Sequence, residues 1–208
     1  LRRRGGDTMS ERKKGGAKDA GWRFAGAISS PEGRPPVLAL PEFAFAGRSN
    51  AGKSTLINRL TKTPGLARTS STPGRTQQIN FFLLPEKLVF ADLPGYGFAK
   101  VPERIRAAWK PLLERYLESR DTLRAIVVII DARRGLGGED EVLLEFAQRC
   151  ARPALVVANK IDKLRQAERS RLQRELSARI PEFIAFSGTT GEGERELWKR
   201  LTALAVVR

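Results

Sequence analysis

The 208-residue chain carries 38 Lys and Arg against 23 Asp and Glu, a net charge of +15, with 41% hydrophobic residues, one cysteine and no histidine. This length is enough for one well-buried domain. The absent histidine and lone Cys150 exclude Ser-His-Asp and Cys-His catalysis, His-ligated metals, an internal disulfide and a cysteine metal cluster, and no apolar run approaches the roughly 20 residues of a membrane span.

Residues 1–21 are rich in Gly, Arg and Lys and poor in apolar positions, which predicts a basic, disordered tail ahead of a single domain over 22–208. The opening Leu1-Arg-Arg-Arg-Gly-Gly has charge but no apolar core, and a cytoplasmic location is expected. Residues 1–24 hold eight Lys or Arg and three Asp or Glu, so most of the positive surplus lies in the folded part. A surplus of this size favours a polyanionic partner, nucleic acid ahead of an anionic membrane. Pro31, Pro35 and Pro36 predict a loop over 31–36.

The apolar run Phe43-Ala-Phe-Ala46 leads into Gly47-Arg-Ser-Asn-Ala-Gly52-Lys53-Ser54, and a helical pattern follows over 53–60. A strand ending in a glycine loop that opens a helix aims successive backbone N–H groups at one spot, where a polyphosphate fits against the positive helix end. Gly47, Arg48, Ser49, Asn50, Ala51, Gly52, Lys53, Ser54 and Thr55 are therefore candidate nucleotide contacts. Lys53 would reach the β- and γ-phosphates and the Ser54 hydroxyl would ligate Mg²⁺.

Residues 61–78 form an aperiodic stretch rich in Thr, Ser, Pro and Gly, as expected of a functional loop beside a phosphate site. One of Thr69, Thr72 and Thr76 should complete the Mg²⁺ shell, and the residues alone do not choose among them. Strand-like runs over 79–84 and 87–91 are separated only by Pro85 and Glu86, too few residues for a crossover, so a hairpin with one antiparallel strand is expected. The second run ends in Asp92-Leu-Pro-Gly95. There Asp92 would hold Mg²⁺ through water and the Gly95 N–H would sense a γ-phosphate.

Helical patterns over 103–118, 139–149, 166–179 and 194–205 alternate with strand-like runs over 124–130, 154–158 and 183–186. Strands alternating with helices imply an α/β fold, a mostly parallel six-stranded sheet with one antiparallel edge strand and helices on both faces. Ligands in such sheets sit beyond the carboxyl ends of the strands. The glycine loop, Asp92, Asp131, Asn159 and Ser187 all fall there. Asn159-Lys-Ile-Asp162 follows one of these ends. The Asp162 carboxylate can accept from guanine N1–H and its exocyclic amine, a donor pair adenine lacks, while Asn159 and the Lys160 stem brace and cover the base. Phe186-Ser187-Gly188 follows the last strand, where a backbone N–H can meet guanine O6.

The ordered set of glycine loop, Thr-x-Gly, Asp92-x-Pro-Gly and Asn159-Lys-x-Asp162 resembles a small Ras-like P-loop GTPase of the translation-factor-related class. More narrowly, Phe45-Ala-Gly-Arg-Ser-Asn-Ala-Gly-Lys-Ser, Thr72-Pro-Gly-Arg-Thr-Gln77 and Asp92-Leu-Pro-Gly-Tyr-Gly97 resemble the EngB/YihA/YsxC ribosome-biogenesis GTPases. Tyr116-Leu-x-x-Arg120, Asp131-Ala-Arg133 and Gly191-x-Gly-x-x-Glu-Leu-Trp198 extend the resemblance over roughly residues 22–206. It implies GTP or GDP as ligand, Mg²⁺, a monomer, and a role in assembling the large ribosomal subunit or its precursor through rRNA, with a link to cell division and septation. It also implies that Thr76 is the switch threonine and Mg²⁺ ligand, that Gly74, Arg75, Thr76, Gln77 and Gln78 contact the nucleotide with Asp92, Leu93, Pro94 and Gly95, and that Lys53, Thr76 and Gly95 serve hydrolysis. Ser187-Gly188 stands where the family usually has Ser-Ser.

The position after Gly95 often holds a water-orienting glutamine in Ras-like proteins; here it is Tyr96. A phenol has a single oxygen where an amide offers a separate N–H donor and C=O acceptor, so it cannot orient water in the same way and slow intrinsic hydrolysis is expected. It would be relieved by a partner, or by K⁺, since Asn50 resembles the asparagine that binds K⁺ in potassium-activated relatives. Arg68, Arg75, Lys100, Arg104, Arg106, Arg133 and Arg134 lie on the nucleotide side and suit an RNA surface. The alternative in another class is a GTP-gated protein or membrane adaptor in cell division with little hydrolysis.

Overall fold

In the computed structural model of the protein the described residues are 21–68, 78–96 and 103–206, with 103–110 described by backbone alone. They form β1 (Arg23–Ile28), β2 (Glu42–Gly47), α1 (Lys53–Thr61), β3 (Ile79–Leu84), β4 (Leu88–Asp92), α2 (Glu103–Ser119), β5 (Leu123–Asp131), α3 (Gly138–Arg149), β6 (Ala154–Asn159), α4 (Gln166–Ser177), β7 (Phe183–Phe186) and α5 (Glu194–Val206). The strands make one sheet in the order β1-β3-β4-β2-β5-β6-β7. β2, β4, β5, β6 and β7 pair in parallel, while β3 runs against both β4 and β1. The expected hairpin closes on Glu86 at φ 60°, with Lys87 N donating to Leu84 O at 3.1 Å.

The expected six strands are corrected to seven, because β1 adds outside β3 and becomes the edge. Its sequence, Arg-Phe-Ala-Gly-Ala-Ile, reads poorly as a strand: Gly26 has φ 145° and the register shifts between Phe24 and Gly26. Tertiary pairing and two aromatic contacts hold it in place. Trp22 lies on Phe90 with ring centroids 4.3 Å apart, and Phe24 meets Phe82 edge-on at 6.2 Å. Of the predicted tail over 1–21, residues 1–20 lie outside the described residues.

Period-two alternation divides the core into two layers. Ile126, Val128 and Ile130 of β5 face Leu112 and Leu117 of α2, Ala147 of α3 and Leu172 and Leu176 of α4. Ala125, Val127 and Ile129 face Leu56, Ile57 and Leu60 of α1 and Leu197 and Leu201 of α5. Both faces are thus covered, which is why the β5 run is apolar at consecutive positions.

Register then fixes the site. Phe45 pairs with Asp92, Gly47 with Ile129, Asp131 with Asn159, and Asn159 with Phe186. The ends of β4, β2, β5, β6 and β7 therefore reach one rim.

Candidate nucleotide-binding site

The loop over 47–54 leaves β2 and enters α1 without a side-chain cap, so its backbone shapes the cradle. Gly52 sits at φ 93°, and a Cβ there would come 2.4 Å from Asn159 Nδ2, so both conformation and space demand glycine. Asn50 takes the left-handed region at φ 65°, which asparagine tolerates better than most residues. The first N–H groups of α1 and the positive end of its dipole face the same spot.

Across this cradle, Lys53 Nζ contacts Asp92 Oδ1. Asp92 is buried at the end of β4, and Leu93 N donates to Phe45 O at 3.0 Å, holding the turn against β2. Pro94 is buried behind it. Gly95 lies so close to Ser49 that a Cβ would come 2.8 Å from Ser49 Oγ. Ser49 N donates to Tyr96 O at 2.9 Å and Tyr96 N to Gly47 O at 3.4 Å, so the 92–96 turn is zipped to the glycine loop. The Tyr96 hydroxyl donates to the buried Asp140 Oδ1 at 2.8 Å, and Asp140 Oδ2 accepts from Gly137 N at 2.9 Å at the start of α3. Burial and the Asp140 charge push the Tyr96 phenol well above its ordinary range. Arg48, paired with Tyr96 in a short parallel bridge, extends toward Glu139 at 3.6 Å.

The second half of the rim is cross-linked through side chains. Asn159 Nδ2 donates to Ala51 O at 2.9 Å and its Oδ1 accepts from Lys160 N at 2.8 Å and Gly188 N at 3.1 Å. One buried amide thus ties the glycine loop, its own turn and the β7–α5 loop. Lys160, at φ 71°, reaches Asn50 O and lies 3.0 Å from Asp131 Oδ2. Asp162 sits on a short 3₁₀ turn, Ile161–Lys163. Its Oδ1 accepts from Ser187 Oγ at 2.6 Å and its Oδ2 lies 3.2 Å from Lys163 Nζ. The Ser187 hydrogen bond, assisted by Lys163 and opposed by partial burial, holds the Asp162 carboxyl below the usual range. Ser187 N donates to Glu192 O at 2.9 Å, so a backbone contact to a guanine O6 here requires one of the Ser187 or Gly188 N–H groups to be shared or released. Thr55 packs beneath Gly188, where a Cβ would come 3.0 Å from its Cγ2.

The structure therefore gathers Gly47, Arg48, Ser49, Asn50, Ala51, Gly52, Lys53, Ser54, Thr55, Asp92, Leu93, Pro94, Gly95, Asn159, Lys160, Asp162, Phe186, Ser187 and Gly188 along one rim. Gln78 stands at the entry to β3 with its amide 2.9 Å from Asn80 Oδ1. Gly74, Arg75, Thr76 and Gln77 lie outside the described residues. Arg59 was not foreseen. Its Nε donates to Glu194 Oε2 at 2.9 Å and its Nη2 to Thr190 O at 2.9 Å, bracing the Ser187 loop from the helix behind the glycine loop. Only its place one turn past Thr55 on the same helix hinted at this.

The chain is also similar to known proteins. Residues 42–160 match the family described as "50S ribosome-binding GTPase". The chain is 48% identical over 173 residues to the "Probable GTP-binding protein EngB" of Solibacter usitatus (strain Ellin6076), covering 83% of this chain and 91% of that protein. A crystal structure of a probable GTP-binding protein engB superposes with a TM-score of 0.65 at 27% identity, over 80% of this chain and all of that one. Era, crystallised with MgGDPNP and nucleotides 1506-1542 of 16S ribosomal RNA, superposes with a TM-score of 0.64 at 27% identity, over 81% of this chain and 57% of its own. An α/β sheet ending in this phosphate cradle and carboxylate turn, together with these likenesses, makes the chain a member of the EngB family of P-loop GTPases.

Proposed function

We propose that this chain binds guanine nucleotide with Mg²⁺, hydrolyses GTP slowly, and acts as a nucleotide-dependent switch in assembly of the large ribosomal subunit. The observation that carries the nucleotide reading is the pairing of two sites on one rim: the Lys53 and Asp92 contact beside the α1 cradle, and the Asp162 carboxylate fixed by Ser187 at 2.6 Å. A carboxylate held ionised and in one rotamer suits the N1–H and amine of guanine and penalises adenine. Asn159 and Lys160 tie that end to the phosphate cradle, Phe186 and Gly188 flank it, and the loop from Arg48 to Ser54 and Thr55 holds the phosphates.

The donor chemistry fits Mg²⁺: Ser54 offers a hydroxyl at the first turn of α1, and Asp92 offers a buried carboxylate that would hold the ion through water. When bound, the cation neutralises charge on the β- and γ-phosphates. Thr76, with Gly74, Arg75, Gln77 and Gln78, would complete the nucleotide contacts; of these only Gln78 lies among the described residues. Lys53 stabilises phosphate charge, and the Gly95 N–H donates to the γ-phosphate. The Tyr96 hydroxyl is directed at Asp140, so the position after Gly95 supplies no amide to orient water. Slow turnover follows, raised by a partner or by K⁺ near Asn50. Turnover measured in KCl and NaCl, each with and without large subunits, tests this. Equal rates in all four conditions would remove the stimulated step.

The ribosomal part is supported by the description of the matched family, by the net charge of +15 and by Era, whose fold is shared and which was crystallised with ribosomal RNA. Sedimentation with purified large subunits should show co-migration in a non-hydrolysable GTP analogue and loss in GDP, weakening as salt rises. Binding that ignores the nucleotide would refute the assembly reading, and nucleotide-dependent binding that requires lipid would refute it in favour of a division-linked adaptor. Among the described residues no helix is long and apolar enough to cross a membrane.

A further inference from the structure

Asp131 belongs to none of the nucleotide motifs, yet among the described residues it accepts more side-chain hydrogen bonds than Asp92 or Asp162. Register between β5 and β6 sets it beside Asn159, one residue before Lys160. It is 7% exposed. Its Oδ1 accepts from Arg133 N at 3.1 Å and Arg133 Nε at 2.9 Å, and its Oδ2 from Arg133 Nη2 at 2.6 Å and Lys160 Nζ at 3.0 Å. The Lys160 ammonium also donates to Asn50 O in the glycine loop. Asn50 and Lys160 both hold left-handed backbones, at φ 65° and 71°, so each is a position where a local tether matters.

A lysine ends in a compact charge on a flexible four-carbon stem. Without a fixed counter-charge it samples many rotamers, and ordering it on each binding event costs entropy. Asp131 supplies that counter-charge from a rigid strand end, and Arg133 in turn fixes the carboxylate by a two-pronged contact. Burial works to raise the Asp131 carboxyl, but the hydrogen bonds from Arg133 and Lys160 outweigh it and hold it at about 2, so it stays ionised at any physiological pH.

We infer that Asp131 is a positioning residue that pins the Lys160 ammonium at the seam between the guanine turn and the glycine loop, and so sets how long nucleotide stays bound. The inference rests on the guanine-nucleotide reading above. Lys160 so pinned lays its stem over the base position and holds the Asn50 carbonyl, so one contact stabilises both ends of the ligand site.

The test is the release rate of a fluorescent N-methylanthraniloyl GDP from the full chain. Asp131→Asn should speed release about tenfold, the loss expected for one charge-assisted contact. Lys160→Met, which keeps the stem and removes the ammonium, should do the same. The double variant should release no faster than Lys160→Met, because both changes remove one interaction. Arg133→Ala loosens the carboxylate but leaves the Lys160 contact in place, and should speed release by clearly less than Asp131→Asn does. An unchanged rate in Asp131→Asn, effects that multiply in the double variant, or equal acceleration by Arg133→Ala would overturn the inference while leaving guanine binding intact. Failure of the unaltered chain to bind the probe saturably would overturn the nucleotide reading and this inference together.

Discussion

Carboxylates hold hydrogen-bond networks at both ends of the sheet. At the amino end of β2, Glu42 is fully buried. It accepts from Arg120 Nε at 3.1 and 3.0 Å, from Arg120 Nη2 at 2.7 Å and from the Tyr116 hydroxyl at 2.5 Å. Arg120 continues to Pro36 O at 2.9 Å, so this network also anchors the loop between β1 and β2. At the carboxyl ends, Asp92 meets Lys53, and Asp162 meets Ser187 and Lys163. Glu42 and Asp92 are buried, and Asp162 is partly buried. Glu42 is surrounded by donors from its own fold, whereas Asp162 stands on a short turn where a ligand can add donors. Burial alone does not mark a functional acid; what matters is whether the fold itself fills the acceptor sites.

The largest effect that could break this contrast is expected at Asp162. Asp162→Asn should weaken GDP binding by about 10³-fold or more, and favour xanthine nucleotides, because the amide donates where the carboxylate accepted. Titration calorimetry with GDP and XDP reads both, and unchanged GDP affinity would place Asp162 with Glu42 as a structural acid. Glu42→Gln should do the opposite. It leaves Arg120 poorly paired and should cost about 3 kcal/mol in urea unfolding, while GDP release from the folded fraction stays within about twofold. A change in release larger than in stability would couple the two ends.

A smaller effect is expected at Tyr96. Tyr96→Phe removes the bond to Asp140 and should cost about 1 kcal/mol, with GTP turnover unchanged, because the hydroxyl points at α3 and away from the phosphate cradle. A marked fall in turnover would give Tyr96 a direct part in hydrolysis. The smallest effect is a pH dependence at Asp131. Its folded value, about 2, lies below the ordinary aspartate value of about 3.9, so between these the unfolded chain binds the extra proton. Its stabilisation is complete above about pH 5 and is lost as pH falls toward 2. The stability gap between the unaltered chain and Asp131→Asn should narrow over that interval in acid unfolding, and a gap independent of pH would contradict the Asp131 geometry.

The sequence was most legible where chemistry is local. Gly47 to Ser54, Asp92 to Gly95 and Asn159 to Asp162 are contiguous, and each could be read as a turn at a strand end because the alternation of apolar runs fixes where strands stop. Strand β1 was illegible, since its glycine and bulge mask the pattern and its pairing partner, β3, comes some fifty residues later. Asp131 was legible as a strand end on the ligand side but its contact with Lys160 was not, and Arg59 was not legible as part of the site, because their partners lie far along the chain: Arg59 with Glu194, and Asp131 with Lys160.

By itself, then, the amino-acid sequence determined a parallel α/β sheet, a phosphate cradle at the first helix and a carboxylate turn suited to guanine. It could do so because backbone geometry and side-chain spacing within a few residues are enough to specify each. Only the tertiary structure decided that Asp131 stands beside Asn159, that Ser187 holds Asp162, and that Asn159 bonds Ala51. Those contacts depend on the register of neighbouring strands, and a slip of one residue would turn each side chain to the other face of the sheet.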